Sequence, residues 1–186
     1  MNNSKIIKKT TLSAKTQVLA TLIALISAVA LPQIFHLMGA LSGLGTSLGE
    51  TFLPMHLPIL FAGLVAGPYV GAAAGLLSPA VSHLLTGMPG EAMLPFMMIE
   101  LCVYGLVCGL LRNVKLPTVA KVLAAQVAGR AVRALALVIA VFGFGSPISL
   151  TTIWMSIVTG LFGLALQWVL LPLLVYRVEG ILKDER

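Results

Sequence analysis

The feature that most limits this chain is its succession of apolar runs, most of them about as long as a membrane-crossing helix and each closed by Gly, Pro or charge. A hydrocarbon core about 30 Å thick needs about 20 apolar residues at a rise of 1.5 Å per residue. Runs at 16–35, 53–67, 69–86, 93–111, 118–142 and 150–176 meet or approach that length. Lipid offers backbone groups no hydrogen-bond partner, so each run must be helical. With 59% hydrophobic and 10% charged residues among 186, nothing is left over for a soluble domain. The expectation is an all-α integral membrane protein: a six-transmembrane-helix bundle forming one membrane-embedded domain over 1–186, with short tails at about 1–15 and 177–186. The second and third runs are short and meet at Gly67-Pro68, a tight turn that a re-entrant pair would also use.

A net charge of +6 suggests a polyanion binder until its placement is considered. Lys5, Lys8, Lys9 and Lys15 precede the first run; Arg112, Lys115 and Lys121 surround a mid-chain break; Arg177, Lys183 and Arg186 close the chain. The connections between carry only Glu50 and Glu91. Positive charge marks cytoplasmic ends, so six crossings put both termini inside. The start imitates an export signal, with a basic stretch, an apolar core from Val18 to Val29 and Ala28-Val29-Ala30. Its apolar run continues through Leu31, Ile34, Phe35 and Leu37, longer than a signal needs, so a retained first helix is expected. Three Gly/Pro/Ser-rich connections, Phe35 to Pro58, Leu85 to Pro95 and Phe142 to Ser149, then share the outer side and can form a lid.

Two intramembrane charges stand out. Glu100 lies roughly 10 Å below the outer end of the fourth run and Arg130 roughly 18 Å above the inner end of the fifth, nearly the same depth. Alone in hydrocarbon each costs several kcal/mol, so they must meet each other, a polar ligand or water. Gln126, Arg130 and Arg133, spaced i, i+4, i+7, share one inward helix face. Two readings stay open: a pair that fixes helix register, or a ligand pocket, which Arg133 favours because it has no evident acidic partner. His36, His56 and His83 fall at outer ends near Glu50 and Glu91, in no metal-binding spacing, so hydrogen bonding is expected of them and no metal site or cofactor. Met55, Met88, Met93, Met97 and Met98 gather at the same rim, where flexible thioethers can mould to a ligand or simply pack. Cys102 and Cys108 are six apart on one helix and cannot bridge. Trp154, Trp168, Tyr104 and Tyr176 suit interfacial anchors or pocket walls, Tyr176 the former. No GxxxxGK[ST] or HExxH is present, so any ATP hydrolysis belongs to a partner.

Ala20, Ala24 and Ala28 form a small-xxx-small stripe on the first helix, a surface that another helix can approach closely, inside this bundle or in a partner. Together with LPMHLPILFAGLVAGPYVGAAAGLLSPAVSHLLTGMP (53–89), MMIELCVYGLVCGLL (97–111) and AGR (128–130), this stripe resembles the substrate-binding S-component of energy-coupling factor (ECF) transporters. The resemblance covers most of the chain and is specific in 53–111. It implies a non-enzymatic capture subunit for a vitamin or related micronutrient, in the bacterial cytoplasmic membrane, working with a coupling membrane subunit and two ATPases. It makes Ala20, Ala24 and Ala28 the coupling surface, and the outer loops after spans one, three and five gates over a pocket built largely by spans four to six. Candidate substrate contacts are Glu100, Arg130, Arg133, Gln126, His56 and His83. Pantothenate would suit the arginines; cobalamin or a cobalamin precursor would suit the wide Gly-rich mouth and the histidines. The alternatives are a stand-alone secondary carrier of a small polar metabolite and a small membrane enzyme.

Overall fold

The structure is a computed structural model describing residues 12–184, apart from the side chains of 179 and 181–184. Lys5, Lys8, Lys9 and Arg186, and the side chain of Lys183, lie outside the described residues. Seven helices follow one another: α1 (Ala14–Leu41), α2 (Ser47–Phe52), α3 (His56–Ala66), α4 (Pro68–Thr86), α5 (Leu94–Leu111), α6 (Thr118–Phe144) and α7 (Thr151–Asp184). There is no strand among the described residues. Taking α2 and α3 as one broken crossing, six helical segments are long and apolar enough to span a membrane, as the apolar runs require.

Three boundaries differ from the sequence reading. α1 continues to Leu41 and the second crossing starts at Ser47, so most of the connection expected as a loop between Phe35 and Pro58 is helical. The expected tail after Tyr176 is helix as far as Asp184. Propensity and intrahelical hydrogen bonding carry these helices past the apolar run, which reports only the lipid-facing length. At the turn between α3 and α4, Gly67 takes φ 114, its N–H reaches Ala62 O and Gly63 O, and Pro68 starts α4 where its missing N–H costs nothing.

The centre of the bundle is the α4–α5 crossing. Apolar side chains gain little by leaving lipid for one another, so close packing must hold the helices together. Gly71 on α4 meets Gly105 on α5, Gly75 meets the backbone of Leu101 and Cys102, and Gly109 meets Gly67 and Pro68; a Cβ on Gly71 or on Gly105 would overlap the other's backbone. Two GxxxG patterns therefore set this contact. Around it Ile59, Leu60, Leu101, Tyr104, Val122, Ala125 and Leu171 are fully buried. Leu19, Ile26, Leu135 and Phe162 are more than half exposed and form the lipid-facing skin. Trp154 and Tyr176 belong to that skin, whereas Tyr104 is buried. Cys102 and Cys108 are free thiols.

Within this chain the alanine stripe packs inward. Ala24 packs with Ala62, Val70 and Ala74, Ala20 lies against that cluster, and Ala28 joins the main core. The small residues let α3 and α4 of the same chain approach α1, so the stripe closes the bundle from within. Gly71→Leu or Ala24→Leu should therefore destabilise the isolated protein by at least the 1–3 kcal/mol typical of overpacking. The lipid-facing Leu19→Ala should change little; thermal unfolding in detergent compares the three.

Candidate functional site

The end of the bundle remote from the termini is organised by the short helix α2. Phe52 packs between Phe35 of α1, tilted by 40°, and Phe162 of α7, edge-to-face at 82°, with ring centroids 5.2 and 5.1 Å apart. Gly163 leaves room for the backbone of Thr51 and Phe52 to press onto α7, and Gly49 faces the His36 ring. α2 stops at Leu53, whose N–H bonds Gly49 O at 3.1 Å and whose backbone takes the left-handed φ 48. A non-glycine there carries local strain that its surroundings must hold. The crossing is unwound at Leu53-Pro54-Met55 and resumes as α3 at His56.

Below this break three charged side chains from two helices converge. Glu100 of α5 has no exposed surface; Arg130 and Arg133 of α6 are 12% and 15% exposed. Arg130 Nε lies 3.1 Å from Glu100 Oε1, and Arg133 Nη1 donates to Glu100 Oε2 at 2.8 Å. Tyr104, one helical turn from Glu100, donates its hydroxyl to Oε1 at 2.9 Å. Arg130 Nη1 also donates to Ser156 O and Oγ of α7, at 3.0 and 3.1 Å. Gly160, one turn further along α7, leaves the space that Arg130 Nη2 occupies. One carboxylate thus ties two guanidiniums and three helices. The pairing of Glu100 with Arg130 anticipated from depth is present, and Arg133, expected to lack an acidic partner, shares the same carboxylate.

Above the cluster opens a cavity of about 470 Å³. Glu100, Arg130, Arg133 and His56 line it; so do Met55, Met88, Met93, Met97 and Met155, with Glu50 and His36 on α2 and α1. Every crossing contributes, which differs from a pocket built largely by spans four to six: the α2–α3 break and α1 bend inward over the same space. The connections after spans one and three reach it, whereas the turn between α6 and α7 does not, and Met98 is not among its walls. His56 is 3% exposed, its ring 5.4 Å from that of Tyr104, and neither of its ring nitrogens meets a hydrogen-bond partner among the described residues.

Two expected contacts lie elsewhere. Gln126 donates to Gln167 Oε1 at 3.0 Å and accepts from Trp168 Nε1 at 2.7 Å, and neither it nor its partners line the cavity. His83 Nδ1 pairs with Pro89 O at 2.8 Å and holds the connection after α4 from behind. Sequence reasoning missed Ser156 and Gly160 as parts of the site, and it named Tyr104 as an anchor or pocket wall without tying it to Glu100. That tie was discoverable, since i, i+4 from Glu100 puts Tyr104 on the same helix face. No group of three or more His, Cys, Asp or Glu is placed to hold a metal ion among the described residues.

Glu100→Gln strands two buried guanidiniums and should cost on the order of 3–5 kcal/mol. Tyr104→Phe removes one hydrogen bond and should cost about 1–3 kcal/mol. Thermal unfolding in a neutral detergent should rank the variants in that order.

No curated protein and no solved structure matches the chain significantly. The family model described as "ECF transporter, substrate-specific component" matches residues 12–175, from just before α1 into the last crossing. Six apolar crossings and a polar-floored cavity between them accord with that match, and the chain belongs to the substrate-specific component family of ECF transporters.

Proposed function

We propose that the cavity above Glu100, Arg130 and Arg133 captures a small anionic micronutrient, a carboxylate of pantothenate's size, for delivery by an ECF transporter. The carrying observation is the charge of the floor: two guanidiniums share one carboxylate, and Arg130 Nη2 and Arg133 Nε, both buried, meet no hydrogen-bond acceptor among the described residues. A substrate carboxylate would accept from such donors in charge-assisted bonds. His56, whose ring nitrogens also lack a partner among the described residues, supplies a further hydrogen-bonding contact beside them, and the methionines an adaptable apolar wall. About 470 Å³ falls in the lower half of the range that encloses drug-sized ligands, which favours a pantothenate-sized molecule over a corrinoid.

In this reading the membrane is the bacterial cytoplasmic membrane and the cavity opens outward. Lys15, Arg112, Lys115, Lys121 and Arg177 crowd the opposite end, as the positive-inside bias asks of a cytoplasmic face. A membrane coupling subunit and two ATPases supply the energy. Their contact surface lies outside the buried part of the alanine stripe, so coexpression should recover the assembly with Ala20→Ser as with the parent chain.

Mass spectrometry of small molecules retained by the purified protein identifies the substrate; a monocarboxylate is expected, and a corrinoid would overturn the size argument. With pantothenate as probe, Arg133→Gln should weaken binding at least tenfold by calorimetry, about 1.4 kcal/mol. Equal affinity in the variant would leave the cluster a packing device.

A further inference from the structure

The charge balance of the floor has an implication for the protein when no substrate is bound. Glu100, Arg130 and Arg133 together carry one net positive charge, almost wholly removed from water. The other carboxylate on the cavity wall, Glu50, is exposed at the mouth, where it accepts from Thr46 Oγ1 at 3.3 Å. It is hydrated and cannot stand in for a counter-ion at the floor. An uncompensated ion inside a low-dielectric bundle costs several kcal/mol, so the balance calls for a mobile anion.

The geometry offers a place for one. Glu100 and Ser156 engage Arg130 through Nε and Nη1, and Glu100 engages Arg133 through Nη1. This leaves Arg130 Nη2 and Arg133 Nε as buried donors without an acceptor among the described residues. The main cavity, about 470 Å³, meets both guanidiniums and Ser156 from above and has room for a halide or a formate-sized carboxylate, whereas the second void beside them, about 10 Å³, is at the lower limit for a single water. The first turn of α3 borders that cavity at His56, so the positive end of this helix's dipole adds to the potential there.

We propose that Arg130 and Arg133 hold an exchangeable monovalent anion, a halide or a formate-sized carboxylate, when no substrate is bound, and that the carboxylate proposed above enters by displacing it. The second half rests on the proposed function; the first does not. Uptake in this scheme begins as anion exchange, so the site never passes through an uncompensated charge. Substrate affinity then falls as chloride rises, beyond the effect of ionic strength.

The test needs no knowledge of the substrate. Quadrupolar broadening of the chloride NMR signal is measured over purified protein in neutral maltoside micelles, with protein-free micelles as baseline. The expected result is excess broadening that formate abolishes, that Arg133→Gln lowers to baseline and that Arg133→Lys, which keeps the charge, retains in part. Size-exclusion elution establishes that each variant is folded, and should Arg133→Gln fail to fold, Arg133→Lys together with formate competition carries the comparison. No excess broadening in the parent protein, or broadening unchanged in both variants, overturns the anion site. Broadening that formate leaves intact overturns the exchange. Retention of a neutral molecule by the purified protein would sink the carboxylate reading while leaving a positive chloride result standing.

Discussion

A single carboxylate buried among helices and shared by two guanidiniums governs the arrangement of this protein's cavity end. Lipid would reject Glu100, Arg130 or Arg133 individually, and each becomes tolerable only when α5 and α6 bring them together. Because Arg130 also reaches Ser156, α7 is drawn into the same arrangement. A register slip of one residue in any of the three helices would separate charge from counter-charge. The ion cluster is therefore a strong selector of one helix alignment, whatever its net contribution to stability.

Close approach elsewhere makes that alignment reachable. The paired glycines of α4 and α5 let backbones touch, and Tyr104 can then lie flat beneath Glu100 against α6, where Gly129 leaves room for its ring. On the other side Gly160 and Gly163 admit Leu53, Phe52 and Arg130 against α7. Small residues set the distances, and polar residues use them. The second crossing breaks at Leu53, which turns a wall of the bundle into the rim of the cavity.

Much of this was legible in the chain. Six crossings followed from apolar run length, and the meeting of Glu100 with Arg130 from counting residues inward from opposite ends. Position along a helix gives depth well and azimuth poorly, which explains the misplacements. Gln126 shares a face with Arg130 but lies more than a turn lower, among Gln167 and Trp168, beyond the reach of the cavity. His83 has the right height, but its side chain is taken by Pro89 O. The alanine stripe states that some helix comes close without saying whose, and here the partners are α3 and α4. The helical α2 was hidden because SLGETF is too short and polar to register as an apolar run; its place depends on the rings of Phe35 and Phe162, far away in sequence.

The two tryptophans occupy opposite environments. Trp154 faces outward, 68% exposed, where acyl chains would surround it, while Trp168 donates its indole N–H to Gln126, which bonds Gln167, whose amide reaches Leu53 O at 3.5 Å. The chain thus contains an intrinsic fluorophore wired by two amides to the unwound segment at the cavity rim, with a second, outward-facing reference in the same spectrum. Rearrangement of that segment would be visible as emission from Trp168 without attaching a dye.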